Sequence, residues 1–124
     1  MSDREKLAAG IGECRLHADV LREARAELGK ARFTADSIHS MTTGQRRLLD
    51  QMAYRFSKLQ DSMGMKVLPG LIELTEEPFP EEATFAEKLQ RLERLGAITS
   101  VDEWRMLREL RNQLSQELRR CACS

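Results

Sequence analysis

Residues 49–74, LDQMAYRFSKLQDSMGMKVLPGLIEL, carry the longest amphipathic pattern of the chain and decide its predicted fold. Their apolar side chains recur at steps of three or four residues, at Leu49, Met52, Phe56, Leu59, Met63, Val67, Leu71 and Leu74. This spacing places them on one side of an α-helix that begins near Gly44 and buries that side. Pro69 has no N–H for the carbonyl four residues back, so we expect the helix to kink or break near Pro69.

Three shorter amphipathic segments surround this helix, and each opens with a capping-box sequence, a Ser or Thr followed three residues later by Glu. Residues 2–5 (SDRE) open a helix predicted from about Asp3 to Gly29, residues 84–87 (TFAE) open a short helix closed by Gly96, and residues 100–103 (SVDE) open the last helix. The side chains expected on their inner faces are Leu7, Ile11, Cys14, Ala18, Leu21, Leu28, Phe85, Leu89, Leu92, Leu95, Trp104, Leu107, Leu114 and Leu118.

The stretches between these helices are typical of connections. Residues 30–43 are mostly polar, with a short helical turn expected around Ile38, and the prolines of residues 77–80 (EPFP) predict an extended loop. Short loops between four or five helices predict a single all-α domain over residues 1–124. We expect an antiparallel four- to five-helix bundle whose second long helix is kinked near Pro69.

The composition fits such a domain and excludes a global attraction to polyanions. The chain is 41% hydrophobic and 32% charged, and only 5% of its residues are aromatic. Because 20 Lys and Arg balance 20 Asp and Glu, no net field draws the chain onto nucleic acid or an anionic membrane. Any nucleic-acid contact would need a local basic patch.

The cysteines and the apolar runs predict a cytoplasmic location. Three cysteines, Cys14, Cys121 and Cys123, cannot all pair within the chain, and their spacing is not that of a disulfide framework. The first residues lead into no apolar run of the signal-peptide type, and no stretch has the length needed to cross a bilayer. We therefore expect a reducing compartment and no membrane contact.

Arg111 is the most informative irregularity, because it occupies the middle of the apolar pattern of the last helix. A guanidinium on a core-facing stripe is costly unless it is paired or open to a cavity. In the alternative interpretation, Leu110 fills the helix contact and Arg111 extends to the edge, where its charged end meets water. Periodicity alone does not decide between the two.

Three stretches resemble a known family: residues 53–61 (AYRFSKLQD), 92–96 (LERLG) and, above all, 100–112 (SVDEWRMLRELRN). From about Leu48 onward, the chain resembles the HepT branch of the HEPN superfamily, helical subunits that pair with minimal nucleotidyltransferases in prokaryotic toxin–antitoxin systems. The resemblance implies a homodimer, a nucleotidyltransferase antitoxin as partner and RNA as a possible substrate. It also implies that Arg111 and Asn112 begin a ribonuclease motif in which a His follows after four to six residues and a Tyr two further on.

The chain departs from this motif at both later positions. Gln116 stands where the His would be, and Leu118 stands where the Tyr would be. A glutamine amide does not titrate near neutral pH, so Gln116 cannot act as a general acid or base. Leucine offers no hydroxyl to RNA or to a nucleotidyltransferase that would modify a tyrosine. We expect little or no ribonuclease activity and no cofactor.

The leading hypothesis is therefore a HepT-like subunit, degenerate at its ribonuclease motif, that binds a nucleotidyltransferase or itself. The first alternative is an active metal-independent ribonuclease in which another residue replaces the histidine, and the second is a helical interaction module unrelated to RNA.

Other candidate residues carry weaker signals. His17 and His39 have no ligands at metal-binding spacing, and Cys121 and Cys123 close to the C-terminus are more often incidental than metal-binding. The pairs Arg46–Arg47 and Arg119–Arg120 are either solvated surface or phosphate contacts.

Overall fold

The computed structural model describes residues 2–30, 33–34, 36–74 and 84–123, without the side chains of Ile38 and residues 117–123. Its elements are α1 (Asp3–Leu28), a 3₁₀ turn (Ser37–Ser40), α2 (Thr43–Ser62), a π-helical turn (Met63–Val67), α3 (Leu68–Glu73), α4 (Phe85–Arg94) and α5 (Val101–Cys123). No strand occurs in these ranges, so the predicted all-α fold is confirmed. The expected loop at residues 77–80 lies outside the described residues.

The helix starts lie where the sequence predicts them. The hydroxyls of Ser2, Thr84 and Ser100 each accept the N–H of the third residue onward at 3.2 Å. A fourth cap at Thr42, which the sequence analysis missed, forms a complete capping box with Gln45. The capping-box pattern admits Gln as well as Glu at this position, and the amide oxygen of Gln45 accepts the Thr42 N–H at 3.0 Å.

The irregularity predicted near Pro69 takes the form of a π-helical turn directly before α3, and the chain stays helical from Thr43 to Glu73. Within this turn the N–H of Leu68 donates to the carbonyl of Met63, five residues back, and Pro69 follows in the first turn of α3. A proline removes one donor from the helical ladder, and a wider turn ahead of it is one way to absorb that loss. The irregularity thus begins at Met63, ahead of the proline itself.

α2 is the central element and runs antiparallel to both α1 and α5. Along α1, Glu13 meets Ser62 and His17 meets Arg55, so the contact order is reversed. Along α5, Trp104 approaches Gly64 and Arg111 reaches Asp61, again in reversed order. The antiparallel arrangement expected for the bundle is confirmed for these three helices.

Two apolar clusters meet at the π-helical turn. Leu68 packs with the α4 and α5 side chains Leu89, Leu92, Val101 and Trp104. Its neighbour Val67 packs with Leu7 and Cys14 of α1. Burial raises the pKa of the Cys14 thiol, so this group stays protonated and packs as a small apolar side chain.

Three of the expected core positions are wrong. Leu74, which follows the last residue of α3, is 43% exposed. Phe85 is 40% exposed and Leu95 is 63% exposed. They lie at the two ends of α4, which is only 10 residues long and buries Leu89 and Leu92 in between. The side chain of Leu118, also expected inside, is outside the described residues. No helix in the described ranges combines the length and apolar character needed to cross a bilayer.

Gly10 allows α1 to approach the π-helical turn closely. A Cβ at Gly10 would lie 3.1 Å from the Cβ of Lys66 and 3.5 Å from Val67, whereas a Cβ at Gly12 would meet nothing within 4 Å. The Lys66 Cβ is fixed to the backbone and cannot turn away as a side-chain end can. The helix contact therefore depends on the absent side chain at Gly10.

We expect Gly10→Ala and Gly12→Ala to change stability in opposite directions. Gly12→Ala should raise the free energy of unfolding by about 0.5–1 kcal/mol through helix propensity alone. Gly10→Ala should lower it by about 1 kcal/mol, because the steric cost exceeds the same gain. Urea denaturation of both variants checks this, and equal stabilisation by both would contradict the close approach.

Candidate functional site

Arg111 projects from α5 toward α2, where a carboxylate holds it in a bidentate ion pair. Its Nε and Nη2 donate to the two carboxylate oxygens of Asp61, each at 2.9 Å. Its Nη1 donates to the Ser115 hydroxyl at 2.7 Å, one turn further along α5. The Arg111 side chain is 28% exposed and that of Asp61 is 37% exposed. All three guanidinium nitrogens are thus engaged within the chain.

This geometry decides between the two interpretations of Arg111. Leu110 is 45% exposed, so it does not fill the helix contact, and Arg111 occupies the stripe as a paired cation. The hydrogen bonds that the guanidinium donates to Asp61 raise the pKa of Arg111, while partial burial acts against them. The alternative in which Arg111 extends to the edge is wrong. The stripe tolerates the cation because α2 supplies its partner.

The other motif positions lie elsewhere on α5. Gln116 is exposed, and a separation of five residues places it about 140° around the helix from Arg111. Ser115, not Gln116, contacts the guanidinium. Asn112 is exposed and borders a cleft between α2, α4 and α5. The Leu118 side chain is outside the described residues. The structure therefore does not bring Arg111 and Gln116 together within one chain.

Asp61 is the functional residue that sequence reasoning missed. It was part of the matched stretch 53–61 but carried no role in that interpretation. One signal in the sequence could have indicated it. An unpaired Arg111 on an apolar stripe would be costly, so the facing helix is expected to carry an acid. Because α2 carries both Asp50 and Asp61, only the register between α2 and α5 selects the partner.

The weaker candidates have structural partners or lie at the surface. The Nδ1 of His17 accepts a hydrogen bond from Arg55 at 3.1 Å, and His39 is exposed in the 3₁₀ turn. Arg46 and Arg47 are exposed near the start of α2. Within the described ranges, no three His, Cys, Asp or Glu side chains are grouped in a way that could hold a metal ion. The side chains of residues 119–123 are not among those that the structure describes.

A second polar contact joins α1 to α2 away from Arg111. The ammonium of Lys66 donates to both Glu13 carboxylate oxygens at 2.7 and 2.8 Å, and Ser62 donates to the same carboxylate at 3.3 Å. The hydrogen bond from Lys66 lowers the pKa of the Glu13 carboxyl. Every polar group here is satisfied by its neighbours, which is the arrangement of a structural helix contact.

Comparisons with known proteins return no match among family models, curated proteins or solved structures.

We expect a double-mutant cycle over Arg111→Leu and Asp61→Asn to give a coupling energy of about 1 kcal/mol, because the pair is bidentate and half-buried. The exposed pair Asp19–Arg22, one turn apart on α1, is the matched control, with an expected coupling of about 0.3 kcal/mol. Urea unfolding of the seven proteins (the wild type, four single variants and two double variants) provides both values. Equal coupling in the two cycles would show that the Arg111 contact does not hold α5 on α2.

Proposed function

We propose that this chain is a HepT-like subunit that binds protein partners and does not cleave RNA. The proposed partners are a second copy of the chain and a minimal nucleotidyltransferase. The observation that carries the proposal is the state of the motif on α5. Each nitrogen of its arginine donates a hydrogen bond to Asp61 or Ser115, and its proton-transfer position holds the amide of Gln116.

Two physical arguments support the absence of turnover. General acid–base catalysis requires a group that titrates near the operating pH, and an amide side chain does not. Electrostatic stabilisation of a scissile phosphate requires a cation aimed at it, whereas Arg111 directs its nitrogens to Asp61 and Ser115. RNA would have to displace a bidentate carboxylate to reach the guanidinium.

An apolar face supports a role in binding proteins. Met106 and Leu110, one turn apart on α5, are 64% and 45% exposed. Beside Leu110 runs a groove of about 490 Å³ between α1, α2 and α5, lined by Leu21, Met52, Phe56 and Leu114 among others. Contiguous exposed apolar surface of this kind is typical of interaction sites. We call Met106, Leu110 and this groove the α5 apolar face.

We expect the chain to form a dimer through the α5 apolar face and to co-purify with a nucleotidyltransferase encoded beside it. Leu110→Asp should shift the mass measured by light scattering from dimer to monomer, because a desolvated carboxylate is costly at an interface. Leu95→Asp is the matched control, since Leu95 is 63% exposed at the end of α4 and lies outside this face. A monomeric wild-type chain that captures no nucleotidyltransferase would overturn the proposal.

If the chain retains the cleft of the family that it resembles, we expect Gln116→His combined with Leu118→Tyr to raise cleavage of single-stranded RNA by about 100-fold or more, the scale of one general acid–base group. Gel analysis of labelled RNA under metal-free conditions measures the rate. Gln113→His, at an exposed α5 position outside the motif, is the control and should give no gain. Equal rates for the restored and the control variants would mean that the helix does not retain the motif's geometry.

A further inference from the structure

The cleft between α2, α4 and α5 has the size and the chemistry of a small-molecule site. Its volume is about 420 Å³, within the range of ligand pockets in proteins. Gln60, Gly64 and Trp104 line its inner side, and Met65, Phe85 and Arg108 line its rim. Only Gln60 and Trp104 of these six are buried, at 8% and 7% exposed.

Two buried donors beside this cleft have no acceptor. The Nε2 of Gln60 and the Nε1 of Trp104 are enclosed and make no hydrogen bond. Buried polar groups in folded proteins almost always have a partner, so an unpaired donor needs an explanation. The terminal torsion of a glutamine is broad, and its rotation would bring Nε2 to an acceptor in the cleft.

The indole orientation relates Trp104 to the same cleft. A Cβ at Gly64 would lie 3.5 Å from Cζ2 of Trp104, and Cζ2 belongs to the ring edge that also carries Nε1. The six-membered ring of the indole therefore faces α2 at the level of Gly64. A second cavity also borders Gln60 and Trp104, but it is lined by Glu103 and by no Lys or Arg. An anion is therefore favoured in the first cleft only.

The charges along the cleft favour a ligand whose hydrogen-bond acceptor is negatively charged. Asp61 is the one carboxylate among its described lining residues, and both of its oxygens are engaged by Arg111. Arg108 lies 5.6 Å from the centre of the Phe85 ring and pairs with no carboxylate in the described part of the chain. Arg111 and Asn112 also line the cleft. Since Arg111 is engaged by Asp61, Arg108 is the cation that remains without a carboxylate partner, and the described lining has no free acid to compete for it.

We propose that this cleft binds a small organic carboxylate with an apolar body. Its carboxylate contacts Arg108 and, after the Gln60 side chain rotates, the Nε2 of Gln60, and its apolar body packs against Met65 and Phe85, which are 78% and 40% exposed. Such a ligand satisfies the unpaired donor of Gln60 and covers exposed apolar surface in one step. The inference is independent of the proposed partner binding, since the cleft lies on the opposite side of α5 from the groove beside Leu110.

Trp104 is the single tryptophan of the chain, so its fluorescence reports on the cleft directly. Titration of the full chain with benzoate is expected to give a saturable change with a Kd on the order of 1 mM or tighter. Benzamide, which has the same shape without the charge, and inorganic phosphate, which lacks the apolar body, should each bind at least about 10-fold more weakly. A non-saturable response to benzoate, or equal binding of either comparison probe, would overturn the proposal.

Two variants locate the binding. Arg108→Gln is expected to weaken benzoate binding about 10-fold or more, and Arg105→Gln, at an exposed position of α5 away from the cleft lining, should leave it unchanged. Gly64→Ala adds a methyl at ordinary contact distance from Trp104, so the fold is kept while the cleft narrows and the Kd rises. Circular dichroism verifies that each variant is folded. Equal effects of the two arginine variants would place the anion elsewhere.

Discussion

The structure depends on the packing of α2 against both α1 and α5. The π-helical turn at Met63–Val67 allows the chain to contact both neighbours at once. The adjacent residues Val67 and Leu68 serve different clusters, one against α1 and the other against α4 and α5. Because Pro69 supplies no N–H, the regular ladder could not continue unchanged through this point. The turn thus fixes the position of α5 along α2, and with it the residue that faces Arg111.

This register places the carboxylate of Asp61 opposite the cation on the apolar stripe of α5, so the two side chains join the helices. Arg111 would be costly on an apolar stripe, but Asp61 meets it with both oxygens and Ser115 takes the remaining nitrogen. The same contact directs the guanidinium nitrogens toward Asp61 and Ser115. On the proposed function, α5 therefore contributes an interaction surface, and the residues of its motif serve stability more than chemistry.

Local patterns in the sequence predict the helices, but they do not predict which side chains pair between helices. The caps at Ser2, Thr84 and Ser100 depend on hydrogen bonds between residues close in sequence, and so does the irregular turn before Pro69. A single sequence is therefore enough to predict them. The exposure of Phe85 was missed because periodicity does not reveal where a short helix loses its neighbours. Asp61 was missed because its role depends on register, and the unpaired donors of Gln60 and Trp104 appear only once three helices are packed.

The central claim is that this chain recognises partners without catalysing RNA cleavage. The most direct test is a single-turnover assay of the purified chain on labelled single-stranded RNA across neutral pH, run beside Arg111→Ala. The account predicts that both proteins leave the RNA intact at the rate of the buffer alone. Efficient cleavage by the unaltered chain that disappears in Arg111→Ala would contradict it.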